Sequence, residues 1–324
     1  MSKQRTLKST VTLSGKGLHT GMDVTLNILP AADNTGIIIR RVDLAEPVEI
    51  AAVAENVTAT ERGTVLSRGD VKVSTIEHCL AALFALGIDN CYIEVNAPEF
   101  PINAAGYEEQ IFNKDYFEPS SKKTFTSADG KSTYTILPDD DFSLQVMIGY
   151  DSPLLKNQYA YIDSINDFEK EIASCRTFVF VREILPLLEG GLIKGGDLTN
   201  ALVIYDEETT PENLTKIAAA CGVELPEIKG VGYINGPLLF DNEPARHKLL
   251  DLIGDLALLG HPIKGRVIAV HPGHGANTEF GKSIRKELRR QESLAPNIPM
   301  DAEAVMDINK IKTLLPHRYP FLLV

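Results

Sequence analysis

Two hydrophobic periods alternate along the chain, and the alternation occurs twice. Residues 3–29 carry two stretches, TLKSTVTLSG and MDVTLNILP, in which apolar and polar positions alternate around the turn GKGLHTG, as in paired strands. GIIIRRVD and EIAAV read as further strands. The period then changes. In VKVSTIEHCLAALFALGIDNCYIEV a strand end leads into a helix with Leu80, Leu83, Phe84 and Leu86 apolar, a stop at Gly87 and another strand. A polar, turn-rich stretch follows at 113–132 and predicts a boundary near 125. Beyond it STYTILP and FSLQVMIGYDSP are β-rich, FEKEIASCRTFVFVREILPLLEGGLIKGG is partly helical, and ALVIY is a strand. Residues 206–240 read as an insertion, HKLLDLIGDLALLG as a strong amphipathic helix, and GRVIAVHPGHGAN as a strand and loop. Strands then a helix, twice over, predict an α+β fold of two similar halves, 1–125 and 126–285. Residues 283–307 begin as a charged helix and end as an acidic, Pro-containing linker, counted from 286.

Composition narrows the function classes. The 324 residues are 44% hydrophobic and 23% charged, which suits a soluble chain with a sizeable core. Thirty-two basic residues against 44 acidic ones leave a net charge of −12, which argues against nucleic acid as a partner. An anionic ligand would need a local cluster of cations. No apolar run approaches the ~20 residues of a membrane span, and the N-terminus lacks the apolar core of a secretory signal. The four cysteines, Cys79, Cys91, Cys175 and Cys221, form no C-x-x-C pair and fit reduced thiols in the cytoplasm.

Two of the seven histidines have acidic neighbours at helical spacing. At 100° per residue His247, Asp251 and Asp255 fall within about 80° of one another, on a helix otherwise filled by leucine and isoleucine. Carboxylates on so apolar a helix are costly unless a cation compensates them. His and Asp at i, i+4 can share one metal ion, and a third ligand would complete a catalytic zinc site with an open water position. His78 is the natural third ligand, which sets Glu77 beside the ion as a base for its water. Plainer readings stand beside this one. Ser74-x-x-Glu77 fits a capping box, His78 a structural histidine, and the His–Asp spacing an ordinary ion pair. His274 lies in the loop HPGHGAN between Gly273 and Gly275, where Asp255 could orient it and raise its pKa. SGKGLHTG, with His19, is either a phosphate cradle or a plain hairpin turn.

The motifs QRTLKSTVTLSGKGLHTG, NTGIIIRR, STIEHCLAALFALGIDNCYIEVNAPEFPI, ASCRTFVF and HKLLDLIGDLALLGHPIKG with GHGAN, in this order over residues 3–283, resemble the UDP-3-O-acyl-N-acetylglucosamine deacetylases, the zinc amidases of lipid A biosynthesis. The resemblance implies a two-layer sandwich of two similar domains with the active site between them. It implies one zinc ion on His78, His247 and Asp251, with Glu77 as general base. His274, held by Asp255, would be the cationic partner of the transition state and the acid for the leaving amine, a role Glu77 could also fill. Thr177 would hydrogen-bond the oxyanion and Lys248 would line the site. Phe178, Phe180 and His19 would contact the substrate. Ile184, Leu192, Gly195 and Gly196 would belong to an apolar passage for the hydroxyacyl chain. The partner implied is a UDP-linked acylated aminosugar. Its diphosphate would meet local cations such as Lys248, Lys194 or Lys264, in a cytoplasmic enzyme transiently near the inner membrane. A metal-free UDP-sugar-binding module and a zinc amidase for another acylated sugar are the alternatives.

The chain departs from this pattern at PINAAGYEEQ (101–110), where no proposed ligand lies, and in the length of 206–240. The last residues, INKIKTLLPHRYPFLLV (308–324), are similar to the opening of a hot-dog 3-hydroxyacyl-(acyl carrier protein) dehydratase. That similarity implies a fusion cut just inside its second domain, the full chain carrying a dehydratase domain able to oligomerise.

Overall fold

The computed structural model describes residues 3–101, 108–113, 116–190, 201–207, 210–221 and 230–294. The chain divides into a compact unit, residues 1–286, and a second, 287–324, of which only the helical backbone to 294 is described.

The first half runs β1 (Lys3–Thr6), β2 (Val11–Lys16), β3 (Asp23–Pro30), β4 (Ile37–Arg41), β5 (Val48–Ala51), β6 (Val57–Ala59), β7 (Val65–Arg68), β8 (Val71–Val73), α1 (Glu77–Ala85) and β9 (Cys91–Val95). β10 (Glu108–Asn113) returns to pair with β1, and the second half then runs β11 (Lys123–Thr126), β12 (Thr133–Leu137), β13 (Phe142–Ile148), β14 (Gln158–Ile162), α2 (Phe168–Glu171), β15 (Thr177–Phe180), α3 (Val181–Glu189), β16 (Ala201–Tyr205), α4 (Pro211–Cys221), β17 (Gly232–Tyr233), α5 (Glu243–Ala257), β18 (Gly265–Val270) and α6 (His274–Leu294).

Each half is built on a five-stranded sheet, ordered β2-β3-β9-β4-β5 in one and β11-β12-β18-β13-β14 in the other. The two orders are the same topology. The first two strands pair antiparallel, the last strand inserts beside them, and it pairs parallel with the third. In both halves the helix precedes that inserted strand, as a crossover requires. The expected α+β plan of two similar halves is therefore present.

Alternation along the strands buries one face of each sheet. β3 alternates buried and half-buried positions between its exposed ends, and β12 alternates half-buried and buried over Thr133–Leu137. Leu26, Ile28, Ile39 and Ile93 of the first sheet form one core with Ile76, Leu80 and Leu83 at α1. α5 packs on β13 and β14, and α1 and α5 pack on each other. Gly254 sets how closely they meet, since a Cβ there would lie 2.0 Å from the backbone oxygen of Glu77.

Several expectations need correction. TLKSTVTLSG is not one strand: it breaks between β1 and β2, because β1 pairs with the distant β10 while β2 pairs with β3. The burial expected of so apolar a helix is met at α5, and it goes further than one face. All its residues except Arg246 and Lys248 are buried, its polar row included, because α1 covers that face. His274 is not a loop residue but the first residue of α6, which continues to Leu294 into the stretch expected as linker. Leu192, Lys194, Gly195, Gly196, residues 102–107, most of the linker and 308–324 lie outside the described residues.

Candidate active site

The helix α1 starts at Glu77, but no capping box forms. Ser74 turns its hydroxyl to the Pro98 carbonyl at 3.2 Å, and Thr75 takes a left-handed backbone, φ 58°. A β-branched residue in that region is strained. The Thr75 hydroxyl donates to Glu99 Oε1 at 3.2 Å, and Glu99, fully buried, also accepts the amides of His19 (2.7 Å) and Thr20 (2.8 Å). One carboxylate thus anchors both the entry to α1 and the 17–20 loop. That loop is a pinned hairpin turn, with its backbone amides engaged by Glu99.

The first turn of α1 then projects Glu77 and His78 toward α5. Asp251 Oδ1 lies 3.3 Å from His247 Nε2 and 3.5 Å from His78 Nε2. One ligand atom from each of the three lies within 4.8 Å of the others, the only such group among the described residues. The set fits a divalent ion. The other nitrogen of His247, Nδ1, faces the Cys175 carbonyl at 3.2 Å, which leaves Nε2 for the ion. Lys248 Nζ donates to Asp251 Oδ2 at 2.9 Å, which leaves Oδ1 toward the imidazoles. Two neutral imidazoles and a carboxylate are the donor set of a zinc or similar transition-metal site.

The charges couple across this cluster. Burial opposes ionisation of Asp251, but Lys248, His247 and His274 hold it well below the usual carboxylate range. Burial would lower His78, yet Asp251 and Glu77 raise it. Burial also disfavours the charged form of Lys248, but Asp251 lifts it above the ordinary lysine value. His274 Nδ1 donates to Asp255 Oδ2 at 2.9 Å, and its Nε2 lies 3.8 Å from Asp251. Against burial, Asp255 and Asp251 push its pKa up to about 9, the direction the sequence predicts.

A cavity of about 300 Å³ opens on this cluster. His19, Glu77, His78, Lys248, Asp251 and His274 line its polar end, with Thr177 of β15 beside them. Its other walls are mostly apolar, formed by Phe178, Phe180, Ile184, Leu187, Ala201 and Val203, with the Arg62–Glu183 ion pair (3.2 Å) also on the lining. Tyr150 packs edge-on against Phe178 at 5.5 Å and lies 5.6 Å from Phe180. His19 brings its Nε2 to 3.2 Å from the Arg62 carbonyl. Asp255 sits behind His274 rather than on the cavity wall. Lys264 is elsewhere, paired with Glu118 at 2.9 Å and set over the Tyr116 ring.

A protein-family model described as "LpxC: UDP-3-O-acyl N-acetylglycosamine deacetylase" matches residues 4–219 and 227–286. The chain belongs to this deacetylase family. The "Bifunctional enzyme LpxC/FabZ" of Bacteroides thetaiotaomicron is 53% identical over 337 residues, spanning 100% of this chain and 73% of that protein. Its namesake from Porphyromonas gingivalis is 50% identical with the same coverage. The "UDP-3-O-acyl-N-acetylglucosamine deacetylase" of Teredinibacter turnerae is 38% identical over 330 residues, 97% of this chain and 99% of that protein.

Residues that sequence reasoning missed in this deacetylase are the ones behind the site. Thr64 donates its amide to Glu77 Oε2 at 3.0 Å and its hydroxyl to Asp255 Oδ1 at 2.5 Å. Asn277 donates to Asp255 Oδ2 at 2.8 Å, and Tyr134 donates to Asn277 at 2.5 Å. Glu99 belongs with them. Apart from Tyr134, on the buried face of β12, none falls on a hydrophobic period; the one local sign is Gly63 before Thr64, where a Cβ would come within 3.1 Å of Glu77 Oε1.

Proposed function

We propose that the chain hydrolyses the N-acetyl amide of UDP-3-O-(3-hydroxyacyl)-N-acetylglucosamine, with one zinc ion on His78, His247 and Asp251, to give the free amine and acetate. The observation that carries this reading is the His–His–Asp group beside Glu77 and His274 at the head of an apolar cavity. When bound, the ion supplies Lewis acidity to the amide carbonyl and acidifies the water that attacks it. Glu77 takes that water's proton, its Oε2 steadied by the Thr64 amide. His274, protonated near neutrality, and the Thr177 hydroxyl stabilise the oxyanion as charge develops on it. The C–N bond then breaks as His274 gives the amine a proton; return of the Glu77 proton is the competing route. Lys248 holds Asp251 and adds positive charge for the diphosphate end.

Phe178, Phe180 and Ile184 face the hydroxyacyl chain in this reading, continued by Leu192, Gly195 and Gly196, and His19 contacts the sugar side. The halves 1–125 and 126–285 act as two domains of one cytoplasmic enzyme. A linker to 307 leads to a fused dehydratase domain that begins at 308–324, in keeping with the names of the bifunctional relatives. The test is acetate release from the UDP-sugar. Glu77→Ala lowers turnover about 10²- to 10⁴-fold with zinc still bound. Near-normal turnover in that variant overturns the assignment of the base. A wild-type protein that holds zinc yet releases no acetate overturns the substrate.

A further inference from the structure

We propose that Thr64 is a positioning residue that locks the base Glu77 and the Asp255–His274 pair into one geometry; the inference rests on the deacetylase reading above. Thr64 is completely buried, in the turn between β6 and β7. Among the described residues it alone hydrogen-bonds both carboxylates. Its backbone amide meets Glu77 Oε2 at 3.0 Å, and its hydroxyl meets Asp255 Oδ1 at 2.5 Å, 191 residues away in sequence.

The hydrogen inventory fixes what the hydroxyl does. His274 Nδ1 and Asn277 Nδ2 both donate to Asp255 Oδ2, at 2.9 and 2.8 Å. Asp255 Oδ1 accepts the single proton of the Thr64 hydroxyl. The 3.3 Å approach of that hydroxyl to His274 Nδ1 is therefore a contact rather than a second donation. With both oxygens engaged, the Asp255 carboxylate cannot turn about its bond, and the His274 ring it holds cannot turn either. Because the same residue's amide grips Glu77, a shift of the 62–65 turn displaces base and acid together. The geometry also explains Gly63. A side chain there would press on Glu77 from the other side, with its Cβ 3.1 Å from Oε1.

Thr64→Val keeps the shape and the amide but removes the hydroxyl. It leaves a buried Asp255 oxygen without its donor. The expected result is a fall in kcat of about 10- to 100-fold with KM within about twofold, since the loss is felt in the transition state rather than in binding. Thr64→Ser, which restores the hydroxyl, recovers most of the lost turnover. Zinc content and thermal melting are measured on each variant; if Thr64→Val does not fold, Thr64→Ala removes the same group without demanding space and carries the test. Wild-type kcat in the variant without the hydroxyl overturns the proposal. So does Thr64→Ser as slow as Thr64→Val, or a KM that rises in step with the loss of kcat. Inactivity of the wild type itself sinks the deacetylase reading and this proposal together, whereas an active wild type matched by Thr64→Val sinks this proposal alone.

Discussion

The two halves share one strand order, and both interrupt it at the same place. Between the fourth strand of the sheet and the helix, each half inserts a three-stranded sheet, β6-β7-β8 in the first and β15-β16-β17 in the second. The inserts differ in character. The first is short and places Gly63 and Thr64 over the start of α1, where they meet the Glu77 and Asp255 carboxylates. The second is long, adds α3 and α4, and presents Phe178, Phe180, Ile184 and Val203 to the cavity. The equivalent helices diverge likewise: α1 brings Glu77 and His78, while α5 brings His247, Lys248, Asp251 and Asp255. A duplicated scaffold thus sets two helices against each other, and the chemistry arises from what each copy does differently.

The strongest way to break this relation is to separate the helices. Gly254→Ala puts a methyl 2.0 Å from the Glu77 carbonyl, against backbone that has nowhere to go. It should cost about 3 kcal/mol of stability, seen as a lower melting temperature, and abolish deacetylation by moving Glu77 and His78 away from α5. An unchanged melting temperature would mean that α1 and α5 do not meet at this point.

The contrast between inserts sharpens with Leu187→Phe, which adds bulk to the α3 wall of the cavity. We expect kcat/KM to fall about 10-fold or more for long-acyl substrates and little for truncated ones. Equal losses for both would remove the second insert from acyl recognition.

A smaller effect follows from His274. Against burial, Asp255 and Asp251 raise its pKa from 6.5 to about 9, so the protonated form stabilises folding. That contribution is complete below pH 6.5 and is lost as pH climbs through 9. The melting-temperature gap between chelated wild type and His274→Asn should therefore narrow from pH 6 to pH 9.5; a gap that widens contradicts the Asp255–His274 pairing.

The parts legible in the sequence were those with a period. The i, i+4 spacing of His247 and Asp251 puts them on one helix face, and the strand–helix alternation shows the two halves. What escaped was long-range. β1 finds its partner in β10, about a hundred residues on. The Thr64–Asp255 and Thr75–Glu99 bonds join segments that share no pattern. Hydrophobic periodicity says which face of α5 is polar, but not that another helix covers it. The capping box misled for a related reason: S-x-x-E is a local signature, and the Pro98 carbonyl takes Ser74 while the Thr64 amide takes Glu77 through tertiary hydrogen bonds.

The central claim is that α1 and α5 together hold one divalent ion that deacetylation requires. Its most direct measurement is metal content per chain alongside acetate release from the UDP-sugar, for the chelated protein, the zinc-reconstituted protein and Asp251→Ala. The account predicts about one zinc per chain in the reconstituted protein, turnover lost on chelation and restored by zinc, and neither zinc nor turnover in Asp251→Ala. Full turnover by the chelated protein, or stoichiometric zinc on Asp251→Ala, would contradict it.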